Sequence, residues 1–285
     1  MITETQKQQI QERLQEYAER YGSQNKAANS LKGVSPATVS QIINGNWDLI
    51  SDEMWRSVGG QIGWNETEWA MVETRDFKVL NGILSDAQIN SNVFAVVGEA
   101  GTGKSVTMKQ YAASNKRAYM LQCAEYWNRK MFMQELLTAM GRDYSGFTVA
   151  EMMQEVVRGL KAMDRPIIIL DEADKLSDQV LYFFITLYNM LEDRCGIVLC
   201  ATDHLAKRIK RGLKLNKKGY KEIYSRIARK FIELKGAGAG DITAICTANG
   251  IIDRATIKDI IEDSENDLRR VRRKIHAVKQ ISNNN

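Results

Sequence analysis

The sequence has few of the residues that build zinc sites or extended linkers. Among 285 residues there are two prolines and two histidines, and the four cysteines, Cys123, Cys195, Cys200 and Cys246, form no C-x-x-C pair. Structural zinc sites need ligands at short, paired spacings, so this spacing excludes the common types. We therefore expect the cysteines to be buried thiols in a reducing compartment.

Long apolar runs are also absent. No run approaches the roughly 18–20 residues that cross a bilayer, and the first residues, MITETQKQQIQ, contain no apolar signal core. We expect a cytoplasmic protein that has no membrane partner.

Positive charge is concentrated in one segment. Residues 204–235 contain twelve Lys and Arg against two Glu, a local charge of +10 in a chain whose net charge is +5. A solvated helical face would also explain such a run, but its concentration in an otherwise acidic chain favours a polyanionic partner.

The hydrophobic pattern predicts helices at both ends and an α/β region between them. Unbroken apolar runs at NVFAVV, AYMLQC, PIIIL, GIVLCA and KFIEL alternate with helical stretches. This alternation is typical of a parallel sheet covered on both faces. We predict an N-terminal all-α domain over 1–64, a partly helical linker over 65–91, an α/β core over 92–240 and a C-terminal helical lid over 241–285.

GEAGTGKS at residues 98–105 matches the phosphate-binding P-loop, G-x-x-x-x-G-K-[ST], and lies between a predicted strand and a helix. Glycines let several backbone N–H groups turn towards phosphate oxygens, and the helix N-terminus adds its dipole. Lys104 is expected to reach the β- and γ-phosphates of ATP, and Ser105 to ligate Mg²⁺. The predicted nucleotide-binding residues here are Gly98, Glu99, Ala100, Gly101, Thr102, Gly103, Lys104, Ser105 and Val106.

A second motif, PIIILDEAD, brings two carboxylates to the C-terminal end of an apolar strand. Ligands of open α/β sheets bind at that edge. Asp171 suits the Mg²⁺ shell and Glu172 suits polarising an attacking water, so we expect hydrolysis of the β–γ bond. DEAD also occurs in helicases, but they need a second nucleotide-fold domain, for which too few residues follow.

The next strand ends in CATDH. Thr202 is placed to bond the attacking water or the γ-phosphate, and Asp203 is a second candidate. Either residue could instead cap the following helix.

Residues 25–47, NKAANSLKGVSPATVSQIINGNW, predict a helix-turn-helix. Ser35 is a natural N-cap followed by Pro36, which suits the first helical position. Ser35, Thr38, Gln41 and Asn44 are the predicted DNA contacts of this motif. It resembles the phage-repressor type, with a turn about one residue longer and little outward positive charge. Use as a protein-interaction module is the alternative.

Together GEAGTGKS, IIILDEAD, CATD, YSRIARK and ENDLRRVRRKI resemble the AAA+ ATPases over about residues 70–280. The resemblance implies an arginine that acts on the nucleotide of a neighbouring subunit, Arg226 or alternatively Arg229. It also implies a lid arginine on the nucleotide of its own subunit, Arg269 or then Arg270. ATP would then bind between the subunits of a homo-oligomer.

A repressor-like domain followed by such a core is similar to the transposition ATPases of the phage Mu B type. The resemblance implies ATP-dependent, largely sequence-independent binding of duplex DNA, filament assembly, and delivery of that DNA to a transposase of the DDE integrase type. It also implies a slow ATP hydrolysis that DNA or the partner stimulates and that drives disassembly. It places the protein in a bacterial host or phage-infected cell. The predicted phosphate contacts are Lys207, Arg208, Lys210 and Arg211.

Two other functions use the same core. A helicase loader of phage or plasmid replication would usually have a partner-binding N-terminal domain in place of a repressor-like one. A signal-sensing transcription regulator would have a long sensor region, for which 285 residues leave no room.

Overall fold

The computed structural model describes residues 2, 4–64, 69–227 and 229–283. The chain divides into two compact units, Met1–Ala70 and Met71–Asn285. No helix within the described ranges is both long and apolar enough to cross a membrane.

The first unit is helical. Its helices are α1 (Glu4–Tyr21), α2 (Gln24–Ser30), α3 (Pro36–Ile43) and α4 (Asp52–Gln61). Ser35 caps α3 as expected, because its side chain accepts a hydrogen bond from the Thr38 amide and Pro36 occupies the first turn. The core of this unit includes Ile10, Leu14, Val39, Ile42, Trp55 and Val58.

The second unit contains a five-stranded parallel sheet in the order β2-β3-β4-β1-β5. All five apolar runs form the strands that the sequence predicted, which confirms the α/β fold. The strands are β1 (Val93–Val97), β2 (Ala118–Gln122), β3 (Ile167–Asp171), β4 (Gly196–Ala201) and β5 (Phe231–Glu233).

Helices flank this sheet. They are α5 (Arg75–Asn90), α6 (Lys104–Ser114), α7 (Arg129–Ala139), α8 (Val149–Lys161), α9 (Asp178–Leu191), α10 (Asp203–Lys214) and α11 (Tyr220–Arg226). A further three follow in the expected lid region, α12 (Ala239–Ala248), α13 (Arg254–Ser264) and α14 (Leu268–Asn283).

The segment 65–91, expected as a partly helical linker, contains a helix that packs against the sheet. Residues 65–68 lie outside the described residues, but α5 is a regular 16-residue helix. Leu80, Leu84 and Ala87 on α5 are buried in a cluster with strand residues. Burial of this apolar stripe makes α5 a part of the P-loop unit.

The four cysteines are buried and unpaired. Burial raises the pKa of Cys123, Cys195 and Cys200 to about 12, which keeps these thiols protonated at neutral pH. Within the described part of the chain, no group of three or more His, Cys, Asp or Glu is arranged to hold a metal.

Candidate nucleotide site and basic surface

The P-loop connects β1 to α6 and lies at the C-terminal edge of the sheet. Gly101 and Gly103 have φ angles of +84° and +90°, which residues with a Cβ rarely adopt. The Lys104 Nζ donates to the carbonyl oxygens of Gly98, at 2.7 Å, and Glu99, at 2.6 Å. Burial lowers the pKa of Lys104, while the negative charge of Asp171 opposes that shift. The ammonium group is therefore fixed inside the loop.

Asp171 ends β3 beside the P-loop. It is 1% exposed, and its Oδ1 accepts from the Glu172 amide at 2.9 Å. Its Oδ2 is buried without a hydrogen-bond partner. Burial raises the pKa of Asp171, and the nearby Ser105 hydroxyl opposes the rise. A buried carboxylate oxygen without a partner, beside a hydroxyl and a phosphate-type loop, fits the ligand set of Mg²⁺.

Glu172 lies one residue further, in a left-handed conformation with φ +54°. Its Oε2 accepts hydrogen bonds from Lys175 Nζ, at 2.9 Å, and Gln122 Nε2, at 3.3 Å. The bond from Lys175 lowers the pKa of Glu172, so the carboxylate is ionised at neutral pH. An ionised and partly exposed carboxylate at this edge can accept a proton.

Thr202 follows β4 and occupies the N-cap position of α10, but its side chain makes no capping bond. Its hydroxyl instead donates to Asp174 Oδ2 at 2.7 Å. Asp203, the alternative candidate, is exposed and forms an ion pair with Lys207. Of the two residues, Thr202 is therefore the one that contacts the turn following β3.

A cleft of about 410 Å³ opens beside the P-loop. It is lined by P-loop residues, by the end of β5, and by the turn before α14, and the lining includes Gly98, Glu99, Ala100 and Thr102. The Leu268 amide donates to the Gly101 carbonyl at 3.0 Å, which ties the first turn of α14 to the P-loop. Val106 is 51% exposed on the first turn of α6.

The lid arginines differ in their surroundings. The positive charge of Arg269 adds slightly to the effect of burial, which is the main cause of the lowered pKa of Lys104. Arg270, in contrast, forms an ion pair with Glu265. Glu265 lines the cleft beside the P-loop, so both Arg269 and Arg270 stay candidates for the lid arginine.

The two arginines considered for the neighbouring subunit lie apart from this cleft. Arg226 ends α11, where its guanidinium lies 5.4 Å from the centre of the Tyr188 ring. It also donates to Asn189 Oδ1, at 3.1 Å from Nε and 2.8 Å from Nη2. Arg229 is exposed and has φ +57°. Neither lines the cleft of its own chain.

The predicted phosphate contacts on α10 divide into two kinds. Lys207, Lys210 and Arg211 are exposed, and we call these three residues the α10 basic surface. Arg208 differs from the expectation, because its side chain is only 26% exposed and pairs with Asp178. Its guanidinium bonds groups inside the unit, so it does not belong to the exposed set.

The residues expected to contact DNA in the first unit are small or polar. Ser35 and Asn44 are exposed, and Thr38 and Gln41 are partly exposed. The Ser35 and Thr38 hydroxyls lie 2.9 Å apart in a hydrogen bond, and Asn44 Nδ2 donates to the Ser40 hydroxyl at 3.1 Å. Three of the four side chains thus already have partners on or next to α3.

The sequence interpretation missed three residues that hold this site together. Gln122 and Lys175 fix the Glu172 carboxylate, and Asp174 accepts from Thr202. Gln122 was detectable, because it is the last residue of β2 and parallel strands end at the same edge of a sheet.

Comparison with known proteins supports the assignment of the core. Residues 89–209 match a family model described as AAA domain, AAA_22. That range contains the P-loop, Asp171, Glu172 and Thr202. Together with the parallel sheet, the match supports a P-loop α/β core of the AAA type and an AAA-type ATPase that binds ATP.

One solved structure with a similar arrangement is NtrX from Brucella abortus, crystallised in complex with ATP. The sequence identity is 14% and the TM-score 0.47, over 86% of this chain and 59% of that one. The chain thus spans less than two thirds of the length of NtrX, and this similarity is too low to indicate a function. No curated protein matches the sequence.

Proposed function

We propose that this protein is an ATP-hydrolysing switch that binds duplex DNA with little sequence preference when ATP is bound. The observation that carries the proposal is the presence, in one unit, of the P-loop, of Asp171 and Glu172 at the end of β3, of Thr202 after β4, and of the α10 basic surface that follows Thr202. Thr202 begins α10, and Lys207, Lys210 and Arg211 follow it within three turns.

The hydrolysis step divides among residues described above. The P-loop amides and Lys104 hold the β- and γ-phosphates, and Glu172 takes the proton of the attacking water at its carboxylate. The water oxygen bonds to the γ-phosphorus while the bond to the β-phosphate oxygen breaks, which gives ADP and phosphate. Mg²⁺, held by Ser105 and Asp171, offsets the charge on the phosphate oxygens when it is bound. Thr202 orients the water or the γ-phosphate.

The charge distribution favours the second unit as the main DNA-binding part. Residues 1–70 contain six Lys and Arg against nine Asp and Glu, a net charge of −3, which leaves +8 for residues 71–285. Contacts to phosphates supply most of the affinity in sequence-independent DNA binding. The polar residues Ser35, Thr38, Gln41 and Asn44 of the acidic unit would then add orientation or a protein contact.

Assembly and partners complete the proposal. Arg226 lies outside the cleft of its own chain, which supports a role on the nucleotide of a neighbouring subunit in a homo-oligomer or filament on DNA. Delivery of the bound DNA to a DDE-type transposase rests on the resemblance to the Mu B type of transposition ATPase. Hydrolysis would release the assembly from DNA.

The test is fluorescence anisotropy of random-sequence duplexes with ATP, ADP or no nucleotide, on the unaltered chain and on Glu172→Gln. We expect tight binding with ATP alone, equal across unrelated sequences. Glu172→Gln should bind ATP and stay on the duplex while its turnover falls about 10²–10⁴-fold, the range for loss of a general base. Glu135→Gln, at an exposed Glu on α7, is the matched control. Nucleotide-independent binding to a single sequence would refute the proposal.

A further inference from the structure

Arg208 forms several hydrogen bonds to the turn after Glu172, and a residue that only contacts DNA would not need them. Its Nη1 donates to the carbonyl oxygens of Asp174, at 3.2 Å, and Leu176, at 2.6 Å. Both carbonyls belong to the turn that follows Glu172. Arg208 also pairs through Nε and Nη2 with Asp178, the first residue of α9. One guanidinium therefore holds both ends of the segment 174–178.

A second set of contacts fixes the guanidinium itself. The Tyr220 hydroxyl donates to Asp178 Oδ1 at 2.7 Å and lies 3.3 Å from Arg208 Nε. The Tyr220 ring lies so close to Gly212 that a Cβ at this position of α10 would collide with it. The absence of that Cβ lets α11 approach α10 and brings the hydroxyl to the ion pair. This network joins α9, α10 and α11.

The same helix carries the α10 basic surface on its other side. Leu205 and Ile209 are buried, and Arg208 lies at the edge of that face, while Lys207, Lys210 and Arg211 point outwards. Because a rigid helix moves as one element, a displacement of its exposed face also moves the side chains on its buried face. Thr202 at its start bonds Asp174, so α10 holds the turn after Glu172 at two points.

From this geometry we propose that Arg208 is a positioning residue that holds the turn after Glu172 in place. Through this turn it transmits DNA binding at the α10 basic surface to the hydrolysis site. The DNA part of the proposal rests on the proposed function, whereas the positioning of the turn does not. A general base works only within hydrogen-bond reach of its water, and small misplacements of a reacting group reduce rates strongly. The α10 basic surface is thereby connected to Glu172 through Arg208, Thr202 and the turn of residues 174–178.

The experiment compares Arg208→Ala, Arg208→Lys and the unaltered chain in full length. Arg129→Ala, at an exposed arginine on α7, is the matched control. We would measure kcat and KM for ATP with and without a random duplex, duplex affinity with ATP, and amide hydrogen exchange of residues 171–178. The exchange measurement does not depend on turnover.

For Arg208→Ala we expect kcat to fall by about tenfold or more, while KM changes by less than about threefold, because the turn and not the P-loop is displaced. Duplex affinity should persist, but stimulation of turnover by DNA should disappear. Exchange at 171–178 should accelerate by about tenfold or more. Arg208→Lys keeps one charged donor group, so its kcat and its exchange rate should lie between those of Arg208→Ala and the unaltered chain. It remains informative if Arg208→Ala does not fold.

Unchanged kcat and unchanged exchange in a folded Arg208 variant would overturn the inference. So would a loss of duplex affinity with normal stimulation at saturating DNA, because Arg208 would then be an ordinary phosphate contact. If the unaltered chain fails to bind duplex DNA, the proposed function fails, but basal kcat and exchange still decide the positioning role. If it also fails to hydrolyse ATP, exchange decides alone.

Discussion

The two units of this chain differ in net charge and in the placement of their charged side chains. The helical unit has a net charge of −3 and an apolar core, and three of its four expected DNA-contacting side chains hydrogen-bond on or next to α3. The P-loop unit has a net charge of +8, with an exposed basic set beside a site whose ionic groups have specific partners. This distribution of charge favours the P-loop unit over the helix-turn-helix pattern as the source of the proposed DNA affinity. Three changes test this division.

The largest effect is expected from Lys104→Ala. Loss of the ammonium group removes the positive charge that faces the phosphates, so ATP turnover should fall by about 100-fold or more. ATP-dependent duplex binding should vanish with it. Lys109→Ala, at an exposed position on the same helix, should leave both unchanged. Steady-state turnover and anisotropy measure the two effects, and full duplex binding by Lys104→Ala would contradict the switch.

A cavity in the other unit should leave that chemistry intact. Leu14 is fully buried in the helical unit, so Leu14→Ala should destabilise this unit by about 2–5 kcal/mol. Hydrogen exchange of peptides from residues 4–61 should report the loss, with basal ATP turnover unchanged. Leu49→Ala, at a residue that is 83% exposed, should cost less than about 0.5 kcal/mol. A parallel loss of turnover in Leu14→Ala would show that the two units do not act separately.

The smallest effect concerns salt dependence, and it compares the units directly. Removing Lys210 and Arg211 together should reduce the slope of log K against log salt by about 1.8, since each phosphate contact contributes about 0.9. The paired change Lys26→Ala and Lys32→Ala, at exposed positions of the acidic unit, should reduce this slope by less than the paired change on α10. Anisotropy titrations over a range of salt give both slopes. Equal reductions would mean that both units contact phosphates.

Sequence predicted the strands well, because each is an unbroken apolar run that only a doubly covered sheet can bury. It also predicted the loop and carboxylates at the sheet edge, since their spacing follows from strand–loop–helix geometry. Sequence predicted a partly helical segment at 65–91, but it did not predict that Leu80, Leu84 and Ala87 of α5 are buried with strand residues. That burial depends on partners that are distant in the sequence.

Arg208 shows a different limit. In the sequence it is one of several adjacent basic residues, and composition gives no reason to separate it from Lys207. Helical periodicity gives such a reason, because position 208 lies next to the buried face of α10 that is formed by Leu205, Ile209 and Gly212. Its acceptors are carbonyls of a distant turn, and such partners are invisible until the chain is folded.

Asp76, in the first turn of α5, is a buried carboxylate that accepts hydrogen bonds from the Lys235 and Gly236 amides, the latter at 2.7 Å. Those amides lie between β5 and the first helix of the lid region. A shortened chain that begins at β1 would therefore lose the acceptor at the entry to the lid, although it would retain the whole P-loop and every strand. For anyone preparing a minimal ATPase fragment, the practical starting point lies before residue 74, where Thr74 caps α5.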